Sequence, residues 1–150
     1  GSDAWKTFDG KIGGAMNSIF ELGSAIGSPK VPKSMEFYNK YKQNYGKALQ
    51  AGHGPAPAYE SVYILAEAIE RAGSLDPDAI VAELEKTDRT GVMGRVKYDE
   101  GHQAIFGSNP QETAVGTVFQ WTEDGQRQIV FPESIAEAKI QLPPGLTSLK

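Results

Sequence analysis

The chain has 150 residues, of which 39% are hydrophobic and 23% charged, a balance that suits one ordinary folded domain and leaves little room for long disorder. Fifteen Lys and Arg against nineteen Asp and Glu give a net charge of −4 with no basic stripe. General nucleic-acid binding draws its affinity from phosphate neutralisation, so no nucleic-acid partner is expected.

Cysteine is absent, which excludes a disulfide framework, a thiolate metal site and a cysteine nucleophile. No apolar run approaches the roughly 20 residues of a membrane helix, and no secretory leader is visible. The first residues are Gly1-Ser2 rather than Met, which reads as a processed or excised end.

Residues 14–20 gather their apolar side chains toward Ile19 and Phe20 and are predicted to be a short strand. Residues 23–32 are rich in Gly, Ser and Pro and are predicted to be a loop. From Ser34 the pattern turns helical, with Met35, Phe37, Tyr38, Tyr41 and Tyr45 at three- and four-residue spacing. This stripe is expected to be a buried face, with Ser34 as N-cap and Gly46 as stop.

The stretch Ala51-Gly52-His53-Gly54-Pro55-Ala56-Pro57-Ala58-Tyr59 must be a shaped loop, because its prolines and glycines oppose a regular element. Pro57 suits the first turn of a helix running to Ala72 and closed by Gly73. Its inner stripe is expected to be Val62, Leu65, Ala66, Ile69 and Ala72, with Glu60, Glu67, Glu70 and Arg71 facing water. Asp76 caps a third helix with Pro77 at its first position and Ile80, Val81 and Leu84 inside; residues 87–91 end it. The period then falls to two, and Val92, Val96 and Tyr98 predict a strand. Residues 99–101 read as a turn and Asn109-Pro110 as part of a polar connection. Residues 114–122 form a second strand, 123–126 a hairpin turn and 127–131 its antiparallel return. The end, from Pro132, is expected to hold a short turn at residues 134–137 in a surface tail that wraps rather than packs.

Little in this order supports chemistry. His53 and His102 are far apart and no i, i+4 pair exists, so no metal site and no cofactor are expected. Asp99-Glu100-Gly101-His102 lacks the alternating acids of a calcium loop. No G-x-S-x-G elbow appears, and Ser61 and Ser74 have no neighbouring base. Gly10-Lys11-Ile12-Gly13-Gly14 does not lead into a helix, as a phosphate loop would. The one unusual feature is the loop from His53 to Tyr59, where prolines stiffen, glycines admit close approach, and a helix N-terminus can favour anions. It reads either as a rigid connector or as a ligand loop.

An ordered series of segments carries a resemblance: Phe37-Tyr38-Asn39-Lys40-Tyr41, then Ala58-Tyr59-Glu60-Ser61-Val62-Tyr63-Ile64-Leu65-Ala66-Glu67-Ala68-Ile69-Glu70-Arg71-Ala72-Gly73, then Asp76-Pro77-Asp78. Thr90-Gly91-Val92-Met93-Gly94 through Tyr98-Asp99-Glu100-Gly101, and Val118-Phe119-Gln120-Trp121, complete it. Over residues 10–131 the chain resembles the C-terminal portion of Leu/Ile/Val-binding-type proteins, the type I extracytoplasmic solute receptors of ABC importers.

The resemblance implies a partial periplasmic-binding-protein-like α/β fold, with helices followed by an antiparallel hairpin. Residues 1–22 would end the C-terminal lobe and cross between lobes, 23–112 would give helices and an edge strand to the N-terminal lobe, and 113–150 would return a hairpin and tail to the C-terminal lobe. It also implies a binding function without catalysis, for a small amino acid or related carboxylate, in the periplasm or outside the cell. The ligand-binding residues it marks are His53, Gly54, Pro55, Ala56 and Tyr59. The partners it implies are the small-molecule ligand, a membrane-embedded ABC permease, and the remainder of the receptor or a second copy of the chain. A ligand-sensing domain of a signalling receptor, or an unrelated small α/β domain, is the alternative.

Overall fold

The hydrophobic strand formers of residues 116–121 are the centre around which the C-terminal part assembles. In the computed structural model, which describes residues 20–25, 27–49, 53–122 and 125–142, they form the middle strand of a three-stranded antiparallel sheet. Its strands are β1 (Phe20–Ser24), β4 (Gly116–Trp121) and β5 (Arg127–Phe131), in the order β1-β4-β5. Phe20 pairs with Gln120 and Ser24 with Gly116 on one side, while Trp121 pairs with Arg127 on the other. A register shift between Val118 and Phe119 breaks the second ladder. Ala25, Val31, Val115, Phe119, Ile129 and Ile135 form the core of this half.

Strand β1 overlaps the predicted loop at 23–32, because pairing with β4 draws Gly23 and Ser24 into the ladder despite their weak strand propensity. The predicted strand residues 14–19 lie outside the described residues. The tail also differs from expectation. A 3-10 turn at Glu133–Ile135 buries Ile135 completely, and the Glu137 and Ala138 N–H groups donate to Ile129 O. Gln120 and Gln141 exchange two hydrogen bonds of 2.8 Å, so this segment is packed down to residue 141.

The preceding part stacks three helices beside a hairpin. Helix α1 spans Ser34–Tyr45, and Gly46, at φ 67°, closes it by donating to Lys42 O. The cap position belongs to Lys33, in the left-handed region at φ 59°. The Ser34 hydroxyl instead accepts from Gly27 N–H and donates to Ala25 O, tying the helix to the loop before it. Of the aromatic stripe, Phe37, Tyr38 and Tyr41 are half-buried and Tyr45 is exposed; the expected buried face is only partly realised.

Helix α2, Pro55–Ala72, begins two residues before its predicted start, so residues 55–59 of the expected shaped loop are helical, since both Pro55 and Pro57 fit the first turn. Glu70 and Arg71 are exposed as expected, but Glu60 and the apolar stripe are not placed as expected. Ala56, Glu60, Ile64 and Ala68 are buried, four residues apart, whereas Val62, Leu65 and Ala66 are exposed. Ile69 and Ala72 are intermediate. Helix α3, Pro77–Leu84, has the predicted cap, Asp76 accepting from Ala79 N–H at 3.0 Å. Arg71 of α2 donates to Glu83 Oε2 and to Glu83 O, holding the two helices together. Val81, expected inside, is exposed.

The segment expected only to end α3 forms a strand. Strand β2 (Asp88–Gly91) pairs with β3 (Gly94–Lys97) about a tight turn at Val92-Met93. Gly94 sits at φ 92°, and a Cβ there would lie 2.6 Å from Thr113 O. Val92, Met93 and Val96 pack against Ala56, Ile64 and Ala114, with Phe37, Tyr59, Leu84 and Tyr98 at the margin. The Val115 N–H donates to Met93 O at 2.9 Å, joining this core to the sheet. Among the described residues no helix is long and apolar enough to cross a membrane.

Candidate functional site

The loop singled out by its prolines delivers its residues to three different surroundings. His53 and Gly54 are exposed, Pro55 is half-exposed at the first helical position, and the Ala56 methyl is buried in the core. Pro55 and Pro57 carry no N–H, so Ala56 is the one residue among the first three of α2 with a main-chain donor to offer. The next N–H, of Ala58, is already bonded to Gly54 O at 3.1 Å. Such a helix end is a weaker anion site than the three-donor terminus of an ordinary helix.

Tyr59, one turn further, is the loop residue best placed to meet a small molecule. It stands on the shared wall of two grooves. One, of about 350 Å³, lies between Tyr59, Pro55 and the Phe37, Tyr41 and Tyr45 rings of α1. The other, of about 250 Å³, opens toward Lys33, Lys40, Tyr63 and Arg89. The Tyr59 ring packs at 4.6 Å from Phe37 and 5.0 Å from Tyr63, and its hydroxyl donates to Tyr63 Oη at 3.3 Å. That bond, followed by partial burial, holds the Tyr59 phenol above the usual tyrosine range. At the rim Lys40 and Glu36 pair at 2.9 Å, and the lysine draws the Glu36 carboxyl below its usual value.

Beneath this aromatic wall lies an ionic cluster that the sequence reading placed in water. Glu60 is 1% exposed. Its Oε1 accepts from Arg89 Nε at 2.5 Å and its Oε2 from Val92 N–H at 2.6 Å. Arg89 Nη1 also donates to Glu67, and the guanidinium lies 4.9 Å from the centre of the Tyr63 ring. Burial disfavours the guanidinium charge, but Glu60 and then Glu67 outweigh it and hold the Arg89 pKa above its ordinary value. The Glu60 carboxylate rests directly against Gly91, where any Cβ would overlap it. The readable signal was the spacing of Glu60 midway between Ala56 and Ile64, a carboxylate on a face whose neighbours are small enough for close packing.

A third cavity, of about 290 Å³, lies between Tyr38 and Leu49 and the hairpin residues Phe119, Trp121 and Arg127. The Arg127 guanidinium stands 5.7 Å and 5.6 Å from the Phe119 and Trp121 ring centres and donates to Leu49 O. Strand pairing of Trp121 with Arg127 is its sequence signal. Among the described residues no group of three or more His, Asp or Glu could hold a metal ion. His102 lies at a turn beside Glu85, at 3.3 Å.

Residues 6–126 match the periplasmic binding protein family. Among solved structures, a leucine-binding protein from Thermotoga maritima is 27% identical, with a TM-score of 0.62 over 78% of this chain and 31% of its own. A putative branched-chain amino acid ABC transporter protein from Silicibacter pomeroyi (TM-score 0.69, 16% identity) is covered over 35% of its length and covers 86% of this chain. An ABC transporter substrate-binding protein from Sphaerobacter thermophilus (0.61, 16%) matches 90% of this chain and 35% of its own. Comparison with curated protein sequences returned no match. The chain thus spans about a third of the length of these solved relatives. With its helices, the two antiparallel sheets among its described residues and a family match that runs over most of its length, the chain belongs to the periplasmic binding protein family and has a partial form of that fold.

Proposed function

We propose that this chain is the C-terminal segment of an extracytoplasmic solute-binding receptor of an ABC importer, working in the periplasm or outside the cell. The receptor's two lobes close on a small amino acid or related carboxylate and present the closed form to a membrane permease. Closure is a population shift driven by the ligand's preference for one state, with no bond made or broken. The observation that carries this reading is the family match across residues 6–126. Residues 1–22 and 113–150 belong, on this reading, to the C-terminal lobe and the crossing strands, and 23–112 to the N-terminal lobe.

The ligand-binding residues on this reading are His53, Gly54, Pro55, Ala56 and Tyr59, at the start of α2. Tyr59 would supply a phenol and a ring face, Ala56 a main-chain N–H, Pro55 stiffness, and His53 and Gly54 an exposed approach. The remainder of the receptor completes the pocket and covers the apolar outer faces of α2 and α3, or a second copy of the chain does so. Val62 is 67% exposed and Leu75 79%, with Leu65 and Val81 also open. Burying side chains of this size contributes about 1.5–3 kcal/mol each when complete, so four half-open ones leave several kcal/mol unrealised.

Calorimetric titration of the full-length receptor beside the 150-residue chain, against branched-chain amino acids and small aromatic acids, tests the reading. Binding by the receptor and none by the chain alone is expected. Tight saturable binding by the chain alone would overturn the half-site account, and substrate turnover would overturn the receptor reading.

A further inference from the structure

We propose that Arg89 is the positioning residue for Tyr59, acting through Tyr63 from a seat fixed by Glu60 and Glu67. The side chains form one continuous stack. Phe37 packs on Tyr59, Tyr59 packs on Tyr63 and donates to its hydroxyl, and Arg89 covers the Tyr63 ring at 4.9 Å. Tyr59 is half-buried against Phe37, whereas Tyr63 is 42% exposed, and a tyrosine so placed would otherwise exchange rotamers freely. Arg89 cannot. Its Nε is spent on the buried Glu60 carboxylate and its Nη1 on Glu67, so the guanidinium plane is set by two partners on one helix.

Glu60 is set in turn by Val92 N–H and by contact with Gly91 at the hairpin turn. A rigid β-hairpin therefore fixes a cation, the cation fixes a ring face, and that ring with its hydroxyl fixes Tyr59. Cation–π attraction between the Arg89 guanidinium and the Tyr63 ring selects one ring rotamer among a few. That Tyr59 then touches solute rests on the receptor reading above; the positioning itself does not.

The test labels the six tyrosines with 3-fluorotyrosine in the full chain and follows them by fluorine NMR, with lines assigned by single Tyr→Phe changes. In Arg89→Met the Tyr59 and Tyr63 lines are expected to move and broaden. That of Tyr38, which lines the separate cavity beside Phe119 and Trp121, should stay. Arg89→Lys keeps the charge without the fork and should restore the lines in part. A purely structural role would move all the lines together or none. Should Arg89→Met unfold, Tyr63→Leu at the exposed link leaves the ion pairs in place, and it must still move the Tyr59 line.

An unmoved Tyr59 line in a folded variant overturns the proposal. A second arm uses the full-length receptor with L-leucine as probe. Arg89→Lys should weaken binding about fivefold, and the loss should vanish in a Tyr59→Ala background, as coupled neighbours require. If the unaltered receptor ignores leucine while the Tyr59 line still moves, leucine is not its ligand and the positioning stands. If leucine binds and the two losses simply add, Arg89 does not act through Tyr59.

Discussion

Replacing Glu60 by Ala should be among the most damaging single changes in the chain, and the structure sets the size of the effect. The carboxylate is 1% exposed and accepts two charge-assisted bonds, from Arg89 at 2.5 Å and from Val92 at 2.6 Å. Losing one partner of a buried pair costs about 3–5 kcal/mol because the other charge is left behind. Arg89 keeps Glu67, which trims that figure. The orphaned Val92 N–H, buried at the hairpin turn, adds about 1–3 kcal/mol. A total near 3–5 kcal/mol follows, on a domain whose whole stability is about 5–15 kcal/mol. Urea unfolding followed by circular dichroism should show a midpoint lower by about 1.5–2.5 M at an m of about 2 kcal/mol/M.

The sharper half of the same experiment uses Gly91. An added Cβ there overlaps the Glu60 carboxylate, which cannot retreat because Arg89 and Val92 hold it. Gly91→Ala alone should therefore cost about as much as Glu60→Ala. In the Glu60→Ala background the obstacle is gone, so the double variant should resemble Glu60→Ala rather than the sum. A Glu60→Ala cost under about 1 kcal/mol, or strict additivity with Gly91→Ala, would refute the buried-clamp reasoning.

Three further outcomes are expected. Leu65→Glu, on the open face of α2, should change the stability of this chain by less than about 0.5 kcal/mol. It should abolish association with the rest of the receptor in analytical ultracentrifugation, and unchanged association would show that the face has no partner. The hydrogen bond from Arg95 holds the Asp88 carboxyl below its ordinary value of 3.8. The stability from that pair is therefore complete above the unfolded aspartate pKa and is lost as pH falls through the lower folded value. Asp88→Asn should flatten this part of the acid limb below about pH 4, and an unchanged acid titration of stability would contradict it. Asp76→Ala removes the cap on α3 and should cost about 1 kcal/mol. Hydrogen exchange should accelerate in the first turn of that helix, and exchange that stays slow there would mean the cap does not hold it.

Much of the fold was legible because its elements carry local signals. The Asp76-Pro77 start of α3, the glycine stops at Gly46 and Gly73, and the strand formers of β4 each act over a few residues, and each is found where its chemistry puts it. What misled was non-local. Residues 87–91 look like a helix end, and only pairing with β3 makes them a strand. Ile135 looks like part of a tail until the Ile129 backbone captures the residues that follow it. In the candidate loop, the prolines read as opposing a regular element, yet both fit a helix's first turn and residues 55–59 are helical; their missing N–H groups, equally visible in the sequence, also weaken the anion-binding end first read there. The clamp of Glu60, Arg89 and Gly91 depends on three elements converging, which no periodicity reports.

Helix α2 shows why a hydrophobic stripe identifies an interface without saying which one. Val62, Leu65, Ala66 and Ile69 form the stronger apolar face, and an isolated domain would turn it inward. Here that face is open, and the inward face is the one with two alanines, an isoleucine and a glutamate. A helix with both faces committed is a helix between two layers. The small residues Ala56 and Ala68 bring its backbone close to the β2–β3 hairpin, and the Glu60–Arg89 bond pins the register on that side. The larger aliphatic side chains then remain for a broad, flat partner. On the receptor reading proposed above, a sheet from the rest of the receptor would supply such a surface. Whether that face has a partner is what the Leu65→Glu association measurement asks directly.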